Sequence, residues 1–98
     1  MTAASKRYLG LIHLLPCVVC WNCYGTHKKA DEAHHIEHVR GGHSDFATVP
    51  LCHECHQQMH QMHRRAFYLA HKLDDVKLLA WTTRELENLL WKAGRIAA

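Results

Sequence analysis

The residues best equipped for chemistry are two cysteine pairs. Cys17 and Cys20 are separated by two residues, as are Cys52 and Cys55, with 31 residues between the pairs. A C-x2-C pair lets both thiolates reach one ion from a single turn, and two such pairs complete a tetrahedral zinc site. Four thiolates close the site and leave no position for water. The zinc would therefore be structural, and its binding free energy would count towards folding. The plainer alternative, four buried free thiols, does not account for pairing at ligand spacing. Cys23 is the fifth cysteine; C-x5-C is the less usual knuckle, so Cys23 is read as a spare thiol.

Eleven histidines are a second unusual count. His56 and His60 are four apart on a predicted helix and share one of its faces. His34 and His35 are adjacent on a predicted strand and so point to opposite sides. One of them can complete a metal site with His56 and His60 while the other turns towards a substrate; spacing does not decide which. Three protein ligands leave coordination positions open, as a catalytic metal requires. The expected cofactors are thus structural Zn2+ and a second divalent ion, Mg2+, Mn2+ or Zn2+. Imidazoles suit zinc or manganese better than magnesium. His53, His63 and His71 are read as solvated side chains. Arg40, beside a glycine pair, and Lys28, Lys29, Arg64 and Arg65 are candidate contacts for a phosphate backbone, although exposed basic pairs often serve only solubility.

The elements that must position these groups fit one domain, residues 1–98. Nearly half the residues, 48%, are apolar, which places the chain among folded proteins. Net charge is +3, from twelve basic and nine acidic residues, which permits a nucleic-acid partner without demanding one. No apolar run is long enough to span a membrane. The opening MTAASKRYLG has no signal-peptide pattern, so a cytoplasmic protein is expected, and in a reducing cytosol paired cysteines favour metal over disulfide.

Ser5 is expected to cap a helix over 6–15, with Tyr8, Ile12 and Leu15 on one face and Pro16 ending it. Residues 17–25 form a cysteine knuckle with a glycine turn. Strands are predicted at 33–39 and 46–51, joined by the RGGHSD turn at 40–45, with Pro50 at a strand end or edge. One helix is predicted from Cys52 to about His71, with Met59, Met62, Ala66, Leu69 and Leu73 on its buried face. A short turn follows from Asp74, containing Val76 and Leu79. Thr82 and Glu85 then form a capping box for a last helix that Gly94 stops, with Leu86, Leu89 and Leu90 facing the core.

In this setting AHHIEHVRGG, followed by VPLCHECHQQMH, resembles the HNH or His-Me finger (ββα-metal) endonucleases. The resemblance is closest to the Ref-type, RecA-dependent nucleases of phages and bacteria. It runs from about Lys6 to His60 and more loosely beyond. It implies an α+β fold: a small zinc-stapled ββα-metal domain with flanking N- and C-terminal helices. It also implies a phosphodiester hydrolase acting on nucleic acid, DNA foremost, in a bacterial or phage-infected cell, with a RecA filament as a further partner. The resemblance assigns His35 as general base and His34, with His56 and His60, as ligands of the catalytic metal. The motif's middle Asn or His would fall near Ala47, which cannot orient His35; Asp45, His43 or a backbone carbonyl would have to stand in. The competing reading is a non-catalytic zinc module that binds nucleic acid or protein. Oligomeric state is left open.

Overall fold

The computed structural model describes residues 1–36 and 44–97, with side chains as far as residue 94. The chain runs α1 (Ala3–Ile12), α2 (Val18–Tyr24), β1 (Glu32–His35), β2 (Thr48–Leu51), α3 (His53–Gln61), α4 (Arg64–His71) and α5 (Asp75–Ala97). This is a small α+β arrangement of five helices and one two-stranded sheet among the described residues.

The strands are antiparallel, with Glu32 opposite Leu51, Ala33 opposite Pro50, His34 opposite Val49 and His35 opposite Thr48. Pairing continues one residue further, where Ile36 N–H donates to the Ala47 carbonyl at 2.8 Å. The remainder of the predicted first strand and most of the RGGHSD turn, including Arg40 and His43, lie outside the described residues. Pro50 is tolerated because a two-stranded ribbon has only edge strands. All four residues of β2 are buried, between β1 on one side and α1, α2 and α5 packed around it. The core gathers Val18, Val19, Val49, Leu51, Met59, Phe67 and Leu78 around the four paired cysteines.

Two helices share one device. Cys17 is the N-cap of α2 and Cys52 the N-cap of α3; each sulfur accepts from the N–H of the cysteine three residues later, Cys20 or Cys55, at 3.5 Å. The knuckle is therefore built as a short helix. Gly25 ends it at φ 64°, a left-handed conformation that glycine adopts without a Cβ penalty.

Several expectations about the helices need correction. The cap of α1 is Thr2, whose hydroxyl oxygen accepts from Ser5 N–H at 3.0 Å, and the helix ends before Pro16. The long helix predicted over 52–71 breaks at His63, whose φ is 74°. The break turns the second half so that Phe67 is fully buried, while Met62 and Leu69 are 42% and 74% exposed. The aromatic ring offers more apolar area than either aliphatic side chain and takes the core position. Finally, α5 is one helix from Asp75. Asp74 caps it, its carboxylate accepting from Lys77 N–H at 2.7 Å.

Thr82 is then internal and buried, and its hydroxyl donates to the Leu78 carbonyl at 2.8 Å. That bond satisfies the group which a capping box would have used. Gly94 does not stop the helix; one internal glycine costs only about 1 kcal/mol. Leu86 and Leu89 are half-buried as expected, but Leu90 is exposed.

Candidate metal centre and histidine site

The two N-cap cysteines and their partners converge. All four sulfurs of Cys17, Cys20, Cys52 and Cys55 lie within 4.8 Å of one another, and all four residues are buried. Cys20 Sγ is 3.7 Å from Cys52 Sγ and 3.6 Å from Cys55 Sγ. A tetrahedral zinc with Zn–S bonds of about 2.3 Å requires sulfur–sulfur edges of about 3.8 Å, so the spacing fits that ion.

Electrostatics point the same way. A hydrogen bond from the Cys55 thiol, supported by backbone N–H groups and opposed by burial, brings the Cys17 thiol down to about 5. Burial and the Cys17 charge push Cys20 up to about 12, and donation to Cys17 pushes Cys55 up as well. Negative charge thus gathers on Cys17, with the other thiols turned towards it. A dication would stabilise four thiolates. Cys23 is only partly buried and lies outside the cluster. Lys28 is held at the first turn of α3 by Glu54, 2.9 Å away, and this contact lowers the Glu54 carboxyl to about 2.

The histidines divide across the hairpin. His34 faces α3, its ring centroid 5.3 Å from that of His56. One turn further along α3, His60 Nε2 lies 3.2 Å from His56 Nε2. His34 Nε2 is buried without a hydrogen-bond partner. Burial above all holds His34 down to about 4, so its ring is neutral at physiological pH, as a ligand must be. A pocket of about 280 Å³ opens beside it, lined by His34, Met59, His60, His63 and Arg64. The three ligand candidates are neighbours but not one sphere: among the described residues, only the cysteines bring three or more ligand atoms within 4.8 Å.

His35 turns the other way. Its Nε2 lies 2.8 Å from Asp45 Oδ1, and the imidazole holds that carboxyl below its usual range. Thr2 Oγ1 donates to Ser5 Oγ at 3.1 Å, and Ser5, buried on α1, adds to the lowering of the Asp45 carboxyl. Tyr8 of α1 packs on Phe46 with ring centroids 5.2 Å apart. The N-terminal helix therefore buttresses the segment that carries Asp45. Of the stand-ins for the residue at Ala47, Asp45 meets His35 and His43 lies outside the described residues; Ala47 itself packs against the core.

Sequence reasoning missed several contributors. Ser5 has the composition of a cap and acts as a buried hydrogen-bond partner. His63 lines the His34 pocket, and only the break at that residue brings it there. His71 is no solvated side chain: Nδ1–H donates to the Phe67 carbonyl at 3.0 Å and Nε2 accepts from Tyr24 Oη at 2.7 Å. His53 contacts Glu32 Oε1 at 3.4 Å. Of the basic candidates, Arg64 borders the histidine pocket, Lys28 is paired at the cysteine cluster, and Lys29 and Arg65 are exposed.

Among the described residues no helix is long and apolar enough to cross a membrane. No protein-family model matches the sequence, and neither a curated protein nor a solved structure matches it.

Proposed function

We propose that this chain is a metal-dependent endonuclease of the HNH type, hydrolysing phosphodiester bonds in nucleic acid, with DNA as the substrate. The observation that carries the reading is the division of the adjacent histidines. His34 joins His56 and His60 against α3, while His35 meets Asp45 on the other side. A module held by four cysteines needs neither arrangement.

In this reading Asp45 keeps the proton on His35 Nε2, and proton acceptance falls to Nδ1. His35 takes a proton from water as the water oxygen bonds to phosphorus. The bond from phosphorus to the 3′ oxygen then breaks, and that oxygen takes up a proton, leaving a 3′-hydroxyl and a 5′-phosphate. His34, His56 and His60 would hold a divalent ion, which supplies charge stabilisation at the scissile phosphate and the leaving oxygen. Arg64 would contact a phosphate at the pocket rim, with Lys29, Arg65 and Arg40 as further backbone contacts. A recombination filament such as RecA is a partner only through the family resemblance.

Plasmid nicking with Mg2+, Mn2+ and Zn2+, comparing the parent with His35→Ala, tests the proposal. Equal rates for the two proteins would end it. The second reading, a non-catalytic zinc module for nucleic acid or protein, is favoured by one observation: among the described residues, the cysteine cluster alone forms a closed ligand set. It requires nucleic-acid or protein binding without cutting under any metal.

A further inference from the structure

We infer that the elbow between α4 and α5 is a nucleotide subsite: it takes an unpaired base with an exocyclic amino group at Asp74, and the flanking phosphates at Arg65 and Lys72. The inference deepens the proposed reading by naming single-stranded nucleic acid as the ligand, and it rests on that reading for binding, not for cutting or for a metal.

The elbow follows from the backbone. Lys72 ends α4 in the left-handed region at φ 55°, and Leu73 N–H returns to the Tyr68 carbonyl at 2.8 Å. The chain turns there, so that Asp74 and Asp75, at the start of α5, line one pocket with residues of α4. The pocket measures about 560 Å³, twice the volume of the histidine pocket. Small-molecule sites commonly span about 300–1,000 Å³.

The walls divide by charge. On α4, Arg64, Arg65, Tyr68 and Leu69 form one stripe at helical spacing, which Lys72 extends. Arg65 and Lys72 are exposed, and Leu69 adds an exposed apolar side chain. The Arg64 guanidinium lies over the Tyr68 ring, 6.0 Å from its centroid. The opposite wall is acidic. Asp75 accepts from the Tyr68 hydroxyl at 2.7 Å, which holds the ring in place. Asp74 Oδ1 accepts from Lys77 N–H at 2.7 Å, which engages one of its two oxygens.

This division selects the ligand. A bare phosphate would meet cations on one wall and repelling carboxylates on the other. A nucleotide satisfies both walls. Its phosphates meet Arg65 and Lys72, while its base crosses Leu69 beside the Arg64 guanidinium, a plane on which bases stack. A carboxylate accepts from the exocyclic amino group of cytosine. Uracil is no substitute, because its N3–H is flanked by two carbonyl oxygens that a carboxylate repels. The base must be unpaired, since pairing occupies the amino group and stacking hides the faces. Arg64 also lines the histidine pocket, so the two cavities meet at one side chain. A strand with a phosphate in the histidine pocket would enter the elbow by passing Arg64.

The test uses the full chain with zinc in the cysteine cluster and no other metal added, so that strands stay whole. Fluorescence anisotropy follows binding of end-labelled oligodeoxycytidylate and oligodeoxyuridylate of equal length. The cytidine strand should bind about 5–10-fold more tightly, the scale of one hydrogen bond to a charged group. Asp74→Asn should bring the two affinities together, because its amide also donates to the uracil carbonyl. The same variant should bind a duplex as the parent does. Arg65→Ala should weaken both strands alike and lower the salt slope by about 0.7, the share of one phosphate contact on a single strand. Zinc stoichiometry and melting temperature check that both variants are folded; asparagine caps a helix as well as aspartate does. Equal affinity for the two strands in the parent, or an unchanged preference in Asp74→Asn, would overturn the inference. Cutting without this preference would leave the endonuclease reading standing and remove the subsite. The preference without cutting under any metal would keep the subsite and end the endonuclease reading.

Discussion

Cys17 and Cys52 stand at equivalent positions in two separate helices: each is the N-cap, and each sulfur accepts from the N–H three residues on. The consequence is that both C-x2-C pairs present their thiolates from helix N-termini, where orphan N–H groups and the dipole stabilise negative sulfur. The ion that fits between them would tie α2 to α3, and hence the N-terminal region to the helix carrying His56 and His60.

The first prediction concerns this staple. The chain should hold one zinc tightly, and Cys52→Ser should lose both the ion and cooperative unfolding. Structural zinc contributes on the order of 10 kcal/mol or more in small domains, which exceeds the stability of most domains this size. Acidification should release the zinc, because protons compete for the thiolates. Cys23→Ser should leave metal content and melting temperature nearly unchanged. Metal analysis beside calorimetry decides; a folded, zinc-free Cys52→Ser protein would refute the assignment.

A second prediction separates the two histidine roles. His35→Ala should keep the second metal and nucleic-acid binding yet cut about 10²-fold or more slowly, as expected for a lost general base. Asp45→Asn should also slow cutting while leaving metal affinity intact. His60→Ala should lose the second metal and the activity, with the cysteine-bound zinc retained. Loss of the second metal in His35→Ala instead would reverse the roles of His34 and His35.

The third concerns the break between α3 and α4. Phe67→Ala should destabilise the fold by about 3–5 kcal/mol, because the ring is fully buried. Leu69→Ala should be within about 0.5 kcal/mol of the parent, since that side chain is solvent-exposed. A continuous helix with Leu69 in the core would give a large cost for Leu69→Ala. Denaturant titration measures both.

Backbone strain supplies a fourth. Lys72 closes α4 in the left-handed region, at φ 55° and ψ 50°. Lys72→Gly should stabilise by about 1 kcal/mol, since glycine reaches that conformation without the Cβ clash. Lys77 Nζ donates to the backbone carbonyl of residue 72, so that contact survives the change. A lower denaturation midpoint for Lys72→Gly would contradict the assigned conformation.

The last prediction is a pH dependence. Burial, with the Asp75 carboxylate 2.7 Å from its hydroxyl, raises the Tyr68 phenol above its usual 10.0. The folded chain therefore holds this proton more tightly than the unfolded one. The resulting stability is complete below about pH 10 and is lost as pH rises towards the higher folded value. Tyr68→Phe should be less stable than the parent near neutrality, and the difference should shrink above pH 10. A difference independent of pH would show that the phenol does not titrate differently in the two states.

The sequence by itself picked out the residues that could hold a metal. Cysteine spacing named all four residues of the cluster and excluded Cys23, because a C-x2-C pair and a helical turn have matching geometry whatever surrounds them. Strand alternation likewise required His34 and His35 to diverge, and the 3.6-residue period put His56 and His60 on one face. These are local rules that hold before packing is known. Tertiary structure decided the rest. Whether the helix after Cys52 continued depended on Phe67 and Leu69 competing for one core, and periodicity scores both as apolar. Whether Thr82 began a helix depended on Asp74 having already capped it. Asp45, which meets His35, is ten residues along the chain on a segment that Tyr8 of α1 packs against, a contact with no sequence period at all. Such long-range pairings are fixed by the closing of the hairpin onto its helices, which no local spacing records.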